Sequence, residues 1–348
     1  MSEINLGIIG GGQLGSLLSV AAKKLNIKTT IYSDDPDAPA QNFSDDFVFG
    51  NYNDKKKILE FINKVDLITY EFENIPFDTL NEINKLKKVL PKPSVNRLIQ
   101  HRLAEKDFVN KLNIRTTRYV SIEKKSDIET LEDFLPGILK TTTMGYDGKG
   151  QYPIKKITDL DNLNLDFSKG YVLEKLVKLK KEISVIITRF GNNNYGIYEP
   201  IENTHQDQIL NHSKIPAEIS KKILEQSTEW ATTIAEELRY IGTLCVEFFI
   251  DRNENLYVNE IAPRVYNSGH LTINAYNVSQ FENHVRAVCS LDKIPLKKLS
   301  NAKMINLIGN QIEPYRQNFQ FKDNEFFFDY LKKEIKEKRK MGHITTLI

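Results

Sequence analysis

The N-terminal part of the chain alternates two apolar rhythms. Residues 4–9 read as a short buried strand, followed by a glycine-rich turn and a helix with Leu17, Leu18, Ala21 and Leu25 on its apolar face. A second strand over 28–32 runs into the turn-rich Ser33-Asp-Asp-Pro-Asp-Ala-Pro39. Ile58, Leu59, Phe61, Ile62 and Val65 then recur at helical spacing, and 66–72 reads as a strand closing in Glu73-Asn-Ile-Pro76. Strands separated by helices of this length predict a parallel sheet with crossover helices. Residues 1–95 are therefore expected to form an open α/β module.

Leu90-Pro-Lys-Pro93 interrupts that rhythm, and a helix over roughly 94–112 is expected to bridge to the next unit. Beyond 115 the pattern changes to strands and loops: 136–141, the Gly-rich 145–150, 171–176, and 182–190, which alternates like a half-buried strand. A long helix with Ile223, Trp230, Ile234 and Leu238 on one face stops at Gly242. Strands over 243–250 and 255–259 follow, joined by the hairpin-like Asp251-Arg-Asn-Glu254. The tail from about 300 is charged. These shifts divide the chain into 1–95, 96–178, 179–300 and a small region, 301–348.

Length changes little in this picture: 348 residues suit two or three modules. Charge changes more. With 48 basic against 46 acidic residues the net charge is +2, without the concentrated basic footprint of a nucleic-acid binder. Any anion must be gripped locally, by loops and a few placed cations. No run reaches the ~18 apolar residues of a membrane span, and the start lacks the basic segment and apolar core of a secretory signal. Cys245 and Cys289 offer no zinc or disulfide spacing, and Cys245 reads as a buried inert thiol. His205, His212 and His270 lack metal spacing. A cytoplasmic location without membrane or nucleic-acid partners is expected.

Four segments could carry chemistry. Gly10-Gly-Gly12-Gln-Leu-Gly15 after a strand fits a phosphate-binding turn, with Asp34 and Asp35 near where a ribose-binding acid would stand. Tight strand–helix packing explains it equally well, and nothing downstream supplies hydride-transfer chemistry. Gly145-Tyr-Asp-Gly-Lys-Gly150, after Lys140, could close over phosphates, or could be a hairpin turn with a solvated lysine. It is not a Walker loop, because no Ser or Thr follows the lysine. Glu247 and Glu260 each sit in apolar strand surroundings; if the strands pair, both carboxylates can face one cleft and, with Asn259 and Asn267, offer oxygen donors suited to Mg. The competing reading pairs each acid with an arginine such as Arg264. Arg264 and Asn267-Ser-Gly-His270 could hold an anion bidentately, or form a plain surface loop.

Taken in order, the stretches 10–15, 34–40, 71–76, 102–106, 136–140, 145–151, 174–177, 182–185, 202–205, 246–249, 259–264, 267–270, 279–282 and 339–343 resemble the N5-carboxyaminoimidazole ribonucleotide synthase family of ATP-grasp enzymes, nearly end to end. The resemblance implies an α/β chain. It would combine an ATP-grasp fold, an N-terminal open parallel-sheet (pre-ATP-grasp) domain and a small C-terminal domain. It implies carboxylation of aminoimidazole ribonucleotide with bicarbonate through carboxyphosphate, using ATP and Mg without biotin, in a homodimer. Arg102, Lys140, Gly145, Tyr146, Asp147, Gly148, Lys149, Gly150 and Gln151 would embrace ATP phosphates, 145–151 as a lid. Glu174, Lys175, Leu176 and Val177 would line the adenine pocket, Glu182 would hold the ribose, and His205 and Asn259 would complete the nucleotide site. Glu247 and Glu260 would bind Mg. Gln13, Leu14, Glu73, Tyr146, Asp147, Asn267, Ser268, Arg339 and Lys340 would contact the ribonucleotide. Lys149, Arg264 and Asn267 would act in catalysis, Arg264 on the bicarbonate.

Two departures stand out. The family usually has an arginine pair and a glycine where this chain has Thr142, Thr143 and Met144, and Pro-His where it has Val265-Tyr266. Tyr266 can hydrogen-bond but does not titrate near neutrality as histidine does. Two other readings are a sister ligase such as formate-dependent glycinamide ribonucleotide transformylase, and a nucleotide-binding homologue with impaired turnover.

Overall fold

The computed structural model describes residues 4–129, 131–143, 150–191, 193–317 and 319–348, and among these residues the chain builds three sheets. The first arises from β1 (Asn5–Ile9), α1 (Gln13–Lys24), β2 (Lys28–Ser33), β3 (Asp46–Phe49), α2 (Lys55–Lys64), β4 (Leu67–Tyr70) and α3 (Phe77–Leu86). Its order is β3-β2-β1-β4 and every pair is parallel, as the alternating rhythm predicts.

The expected bridging helix is broken in two: α4 (Pro93–Ile99) and α5 (Arg102–Lys111). His101 starts a new helix, its Nδ1 accepting the Ala104 N–H at 3.4 Å. Gln100 is turned aside to donate to the carbonyls of Glu73 and Ile75 at 2.6 and 2.7 Å. The break decides which residues of α5 face the interior.

The second sheet is antiparallel, ordered β5-β8-β6-β7, from β5 (Tyr119–Ile122), β6 (Gly137–Thr141), β7 (Gln151–Ile154) and β8 (Tyr171–Lys175), with α6 (Lys125–Glu129) after β5. The third takes in β9 (Leu179–Gly191), β10 (Asn194–Ile197), β11 (Ile201–Gln206), β12 (Ile209–Ile215), β13 (Gly242–Asp251) and β14 (Leu256–Ala262), with α7 (Lys221–Glu237) before β13. After α8 (Thr272–Ala275) and α9 (Gln280–Val288), the charged tail adds β15 (Ala302–Ile308), α10 (Glu313–Arg316), β16 (Glu325–Asp329) and β17 (Lys340–Leu347). These last strands extend the third sheet in the order β14-β13-β9-β11-β12-β15-β17-β16, so the C-terminal segment shares its ladder.

The strand expected to be half-buried is covered on both faces. Residues 183–189 of β9 are buried at every position because the strand lies between β13 and β11 and beneath α7 and α9. Ile183, Val185 and Ile187 pack with Ile223, Ile234, Val246 and Phe248 in one core, each fully buried side chain contributing about 1.5–3 kcal/mol. Helix α9 ties this body to the N-terminal sheet. Its Phe281, Val285 and Val288 enter the core of β1 and α1. Its His284 accepts the Thr243 N–H at Nδ1 (3.0 Å) and meets the Thr69 hydroxyl of β4 through Nε2 (2.8 Å).

Candidate active site

A cleft of about 590 Å³ opens where the N-terminal sheet, α5 and the third sheet converge. A surface groove of about 710 Å³ runs along the outer side of α7 and holds none of the residues predicted above. Glu182, Glu247, Glu260 and Asn267 line the first.

The two acids come together as the hairpin predicts. Glu247 of β13 and Glu260 of β14 are direct cross-strand partners, so their side chains share a face. Between Val258 and Glu260 the register slips by one residue, and Asn259 is the extra position of a β-bulge. Glu247 is buried, its Oε1 has no hydrogen-bond partner, and Asn259 Nδ2 donates to Oε2 at 3.4 Å. Burial, and then the charge of Glu260, push the Glu247 carboxyl above its ordinary range. The rival reading is met in part: Arg264 pairs with neither acid, but Arg102 forms an ion pair with Glu260 at 3.7 Å. Among the described residues no cluster of three or more His, Cys, Asp or Glu could hold a metal. Two carboxylates, one of them with an orphaned oxygen, fit a hard cation that draws its remaining ligands from phosphates and water.

Arg264 is committed elsewhere. It grips Glu73 bidentately, Nε to Oε2 and Nη2 to Oε1 at 2.8 Å, which holds Glu73 below the usual carboxylate range against the opposing effect of burial. The Glu73 carbonyl is in turn held by Asn96 at 3.0 Å and by Gln100. Arg264 also lies over the Tyr266 ring, 5.5 Å from its centroid.

The first glycine turn faces the same cleft, with Gln13 and Leu14 in its lining. Helix α1 has no acid in its first turn and no side-chain cap of its own. Glu71, at the end of β4, accepts the Gly12 N–H at 2.7 Å instead. Gly10 has φ +108°, and a Cβ there would lie 2.8 Å from Glu71 Cγ, so glycine is required for this approach. Asn267 lines the cleft with its amide fixed on both sides: Asn306 Nδ2 donates to Oδ1 at 2.6 Å, and Nδ2 meets His270 Nε2 at 3.2 Å. Lys340 lines the cleft too.

Elsewhere in the lining, Glu182 of β9 and His205 of β11 pair at 2.7 Å, His205 lying at a second register shift, Thr204/His205. Burial opposes protonation of His205, but the bond to Glu182 prevails and raises its pKa. Lys140 and Glu174 stand behind the cleft lining, where they form a buried pair at 3.1 Å. Lys106 joins it at 3.2 Å, and Thr117 donates to Glu174 at 2.8 Å. Burial works against the charge, yet the two lysines hold Glu174 down at about 2. Burial lowers Lys140.

Gln151, Thr142 and Thr143 border the cleft, and Gly150 follows the left-handed region at φ +68°. Met144, Gly145, Tyr146, Asp147, Gly148 and Lys149 lie outside the described residues. Some predicted residues stand back from the cleft lining. Ser268 is fully buried against Ser184 at 2.8 Å, and Arg339 donates to the Glu334 carbonyl. Lys175 donates to the Asp133 carbonyl, with Leu176 and Val177 on the connection to β9. Sequence reasoning passed over Glu71, Gln100, Glu105 and Lys332, all of which line the cleft. Buried charge within the matched stretches 71–76 and 102–106 was the available signal for Glu71 and Glu105; Lys332 had none.

A cross-strand acid pair beside a four-stranded antiparallel sheet, joined to a parallel N-terminal sheet, defines an ATP-grasp ligase, and family models agree. An ATP-grasp domain matches residues 107–281, a ribonucleotide synthetase preATP-grasp domain 2–100, and a phosphoribosylaminoimidazole carboxylase C-terminal domain 302–348. The chain belongs to the N5-carboxyaminoimidazole ribonucleotide synthase family. It is 37% identical over 344 residues to the Bacillus subtilis N5-carboxyaminoimidazole ribonucleotide synthase, covering 98% of this chain and 90% of that one. The Staphylococcus aureus N5-carboxyaminoimidazole synthetase complexed with ADP superposes with a TM-score of 0.93 at 36% identity, over 99% and 93% of the two chains. The Aspergillus clavatus synthase in complex with ADP and 5-aminoimidazole ribonucleotide gives 0.90 at 25%, over 99% and 94%.

Proposed function

We propose that this chain carboxylates 5-aminoimidazole ribonucleotide with bicarbonate at the expense of ATP, releasing ADP and phosphate, as a step of purine biosynthesis. The observation that carries the reading is the Glu247–Glu260 cross-strand pair, set in one cleft with Gln13, Asn267, Lys340 and the Arg264–Glu73 clamp. ATP lies between the four-stranded antiparallel sheet and β9. Glu182 takes the ribose, and His205, whose pKa the bond to Glu182 raises, completes the nucleotide site. Glu247 and Glu260 would hold Mg, which when bound neutralises charge on the transferred phosphoryl group. Bicarbonate attacks the γ-phosphorus to give carboxyphosphate and ADP, and the ribonucleotide amine then captures the carboxyl carbon. Phosphate leaves.

The residues act by positioning and electrostatics. Arg264, oriented by Glu73 and by the Val265 carbonyl that its Nη1 meets at 3.2 Å, turns its remaining N–H groups to the bicarbonate. Asn267, its amide held by Asn306 and His270, and Gln13 and Leu14 on the glycine turn seat the ribonucleotide; Lys340 neutralises its phosphate. Lys149 and its glycine loop, of which 145–149 lie outside the described residues, would shield carboxyphosphate from water.

ADP release is measured with ATP, bicarbonate and aminoimidazole ribonucleotide, each omitted in turn. The expected result is full turnover only with all three. Turnover that requires formate and glycinamide ribonucleotide instead, or tight ATP binding without acceptor-dependent turnover, overturns the proposal.

A further inference from the structure

Helix α5 buries ionisable side chains where an amphipathic helix usually buries apolar groups. Glu105 is 4% exposed and Lys106 2%. A buried ionisable group without a partner is costly, so each needs a specific contact. Lys106 meets Glu174 and Thr117. Glu105 reaches across 156 positions, where its Oε1 accepts the backbone N–H of Ile261 at 2.5 Å.

The place of Ile261 gives that bond its meaning. β14 ends its sheet, pairing with β13 alone among the named strands, so its alternate amides face away from the ladder. Two outward amides are fastened: Val258 to the Arg115 carbonyl at 2.8 Å, and Ile261 to Glu105. They stand three residues apart rather than two, because Asn259 is the extra residue of the bulge. Asn259 and Glu260 are thus bracketed by two bonds. One turn earlier on the same face of α5, Arg102 approaches Glu260 itself.

We propose that Glu105 is a positioning residue for the metal–nucleotide site: by holding the Ile261 amide it fixes the bulge that aims Asn259 and Glu260 into the cleft. This rests on the reading of Glu247 and Glu260 as the metal carboxylates. The geometry calls for an acceptor oxygen at this point, which glutamine supplies and alanine does not.

The test compares Glu105→Ala and Glu105→Gln by calorimetric titration with Mg and ADP, by hydrogen exchange of peptides spanning residues 256–262, and by steady-state kinetics. Glu105→Ala is expected to weaken Mg·ADP binding about 10–100-fold. It should raise KM for ATP more than KM for the ribonucleotide, and lose exchange protection around Ile261. Glu105→Gln is expected to restore all three readouts to within about threefold of the parent, since it keeps the acceptor. Unchanged Mg·ADP affinity in Glu105→Ala, or a Glu105→Gln variant as impaired as the alanine variant, overturns the inference. If the alanine variant does not fold, protection at 256–262 in Glu105→Gln decides, and its loss overturns it. Glu247→Gln and Glu260→Gln are titrated alongside. If they bind Mg·ADP like the parent, the metal reading itself fails; if they lose it while Glu105→Ala keeps it, only the role of Glu105 fails.

Discussion

Arg264 and Glu73 share a fork of two parallel bonds, and the guanidinium keeps the Glu73 carboxyl ionised in a largely buried setting. Arg264→Ala leaves a carboxylate without its counter-ion and should cost about 3 kcal/mol of stability. The double variant with Glu73→Ala should recover most of that loss, because neither charge remains. Arg264→Lys keeps the charge but loses the planar fork, so it should fold normally while kcat falls. Urea unfolding and initial rates on the four proteins check this. A double variant as unstable as Arg264→Ala would show that the pair does not act as a unit.

The glycine turn between β1 and α1 shows how an element can be required for reasons a motif does not reveal. Its N–H at Gly12 is taken by Glu71, whose buried carboxyl burial itself pushes upward, so a dinucleotide pyrophosphate would have to displace it. The glycines allow β4 to approach α1 and set Gln13 and Leu14 at the cleft edge. Gly10→Ala forces a side chain into left-handed backbone against Glu71. It should cost about 1–3 kcal/mol and raise KM for the ribonucleotide more than KM for ATP. Equal changes in the two constants would sever the turn from the acceptor site. The α4–α5 break is a second example. Periodicity alone gives one helix, but Gln100 and His101 find tertiary and capping partners that end one helix and start another.

At the scale of the molecule, α9 holds the N-terminal sheet to the nine-stranded one, and His284 is its polar link. Burial keeps this imidazole neutral, with its pKa down at about 4. In the unfolded chain it titrates near ~6.5. The unfolded state therefore binds the extra proton below that value, and the contribution of His284 is complete above it. Stability is lost as pH falls from about 6.5 toward 4, at up to about 1.4 kcal/mol per pH unit. The urea midpoint should drop between pH 7 and 5, and His284→Gln should flatten that drop. An unchanged slope in the variant would remove His284 as a source of acid lability. Among the described residues no helix is long and apolar enough to cross a membrane.

Local rhythm was enough for the parallel N-terminal sheet, because strand and helix periods of 2 and 3.6 are written into neighbouring residues. It was enough too for the acid pair: a short hairpin between two apolar strands leaves few registers, and Glu247 and Glu260 meet in the one observed. Contacts between distant segments left no such trace. The Arg264–Glu73 clamp joins positions 191 apart, and the Ile261–Glu105 bond joins positions 156 apart. The continuation of the third sheet into the charged tail, the covering of both faces of β9 and the retreat of Ser268 into the interior also came from packing. Periodicity reports which face of an element is apolar, whereas the partner of a buried charge is chosen by which elements the whole chain brings against it.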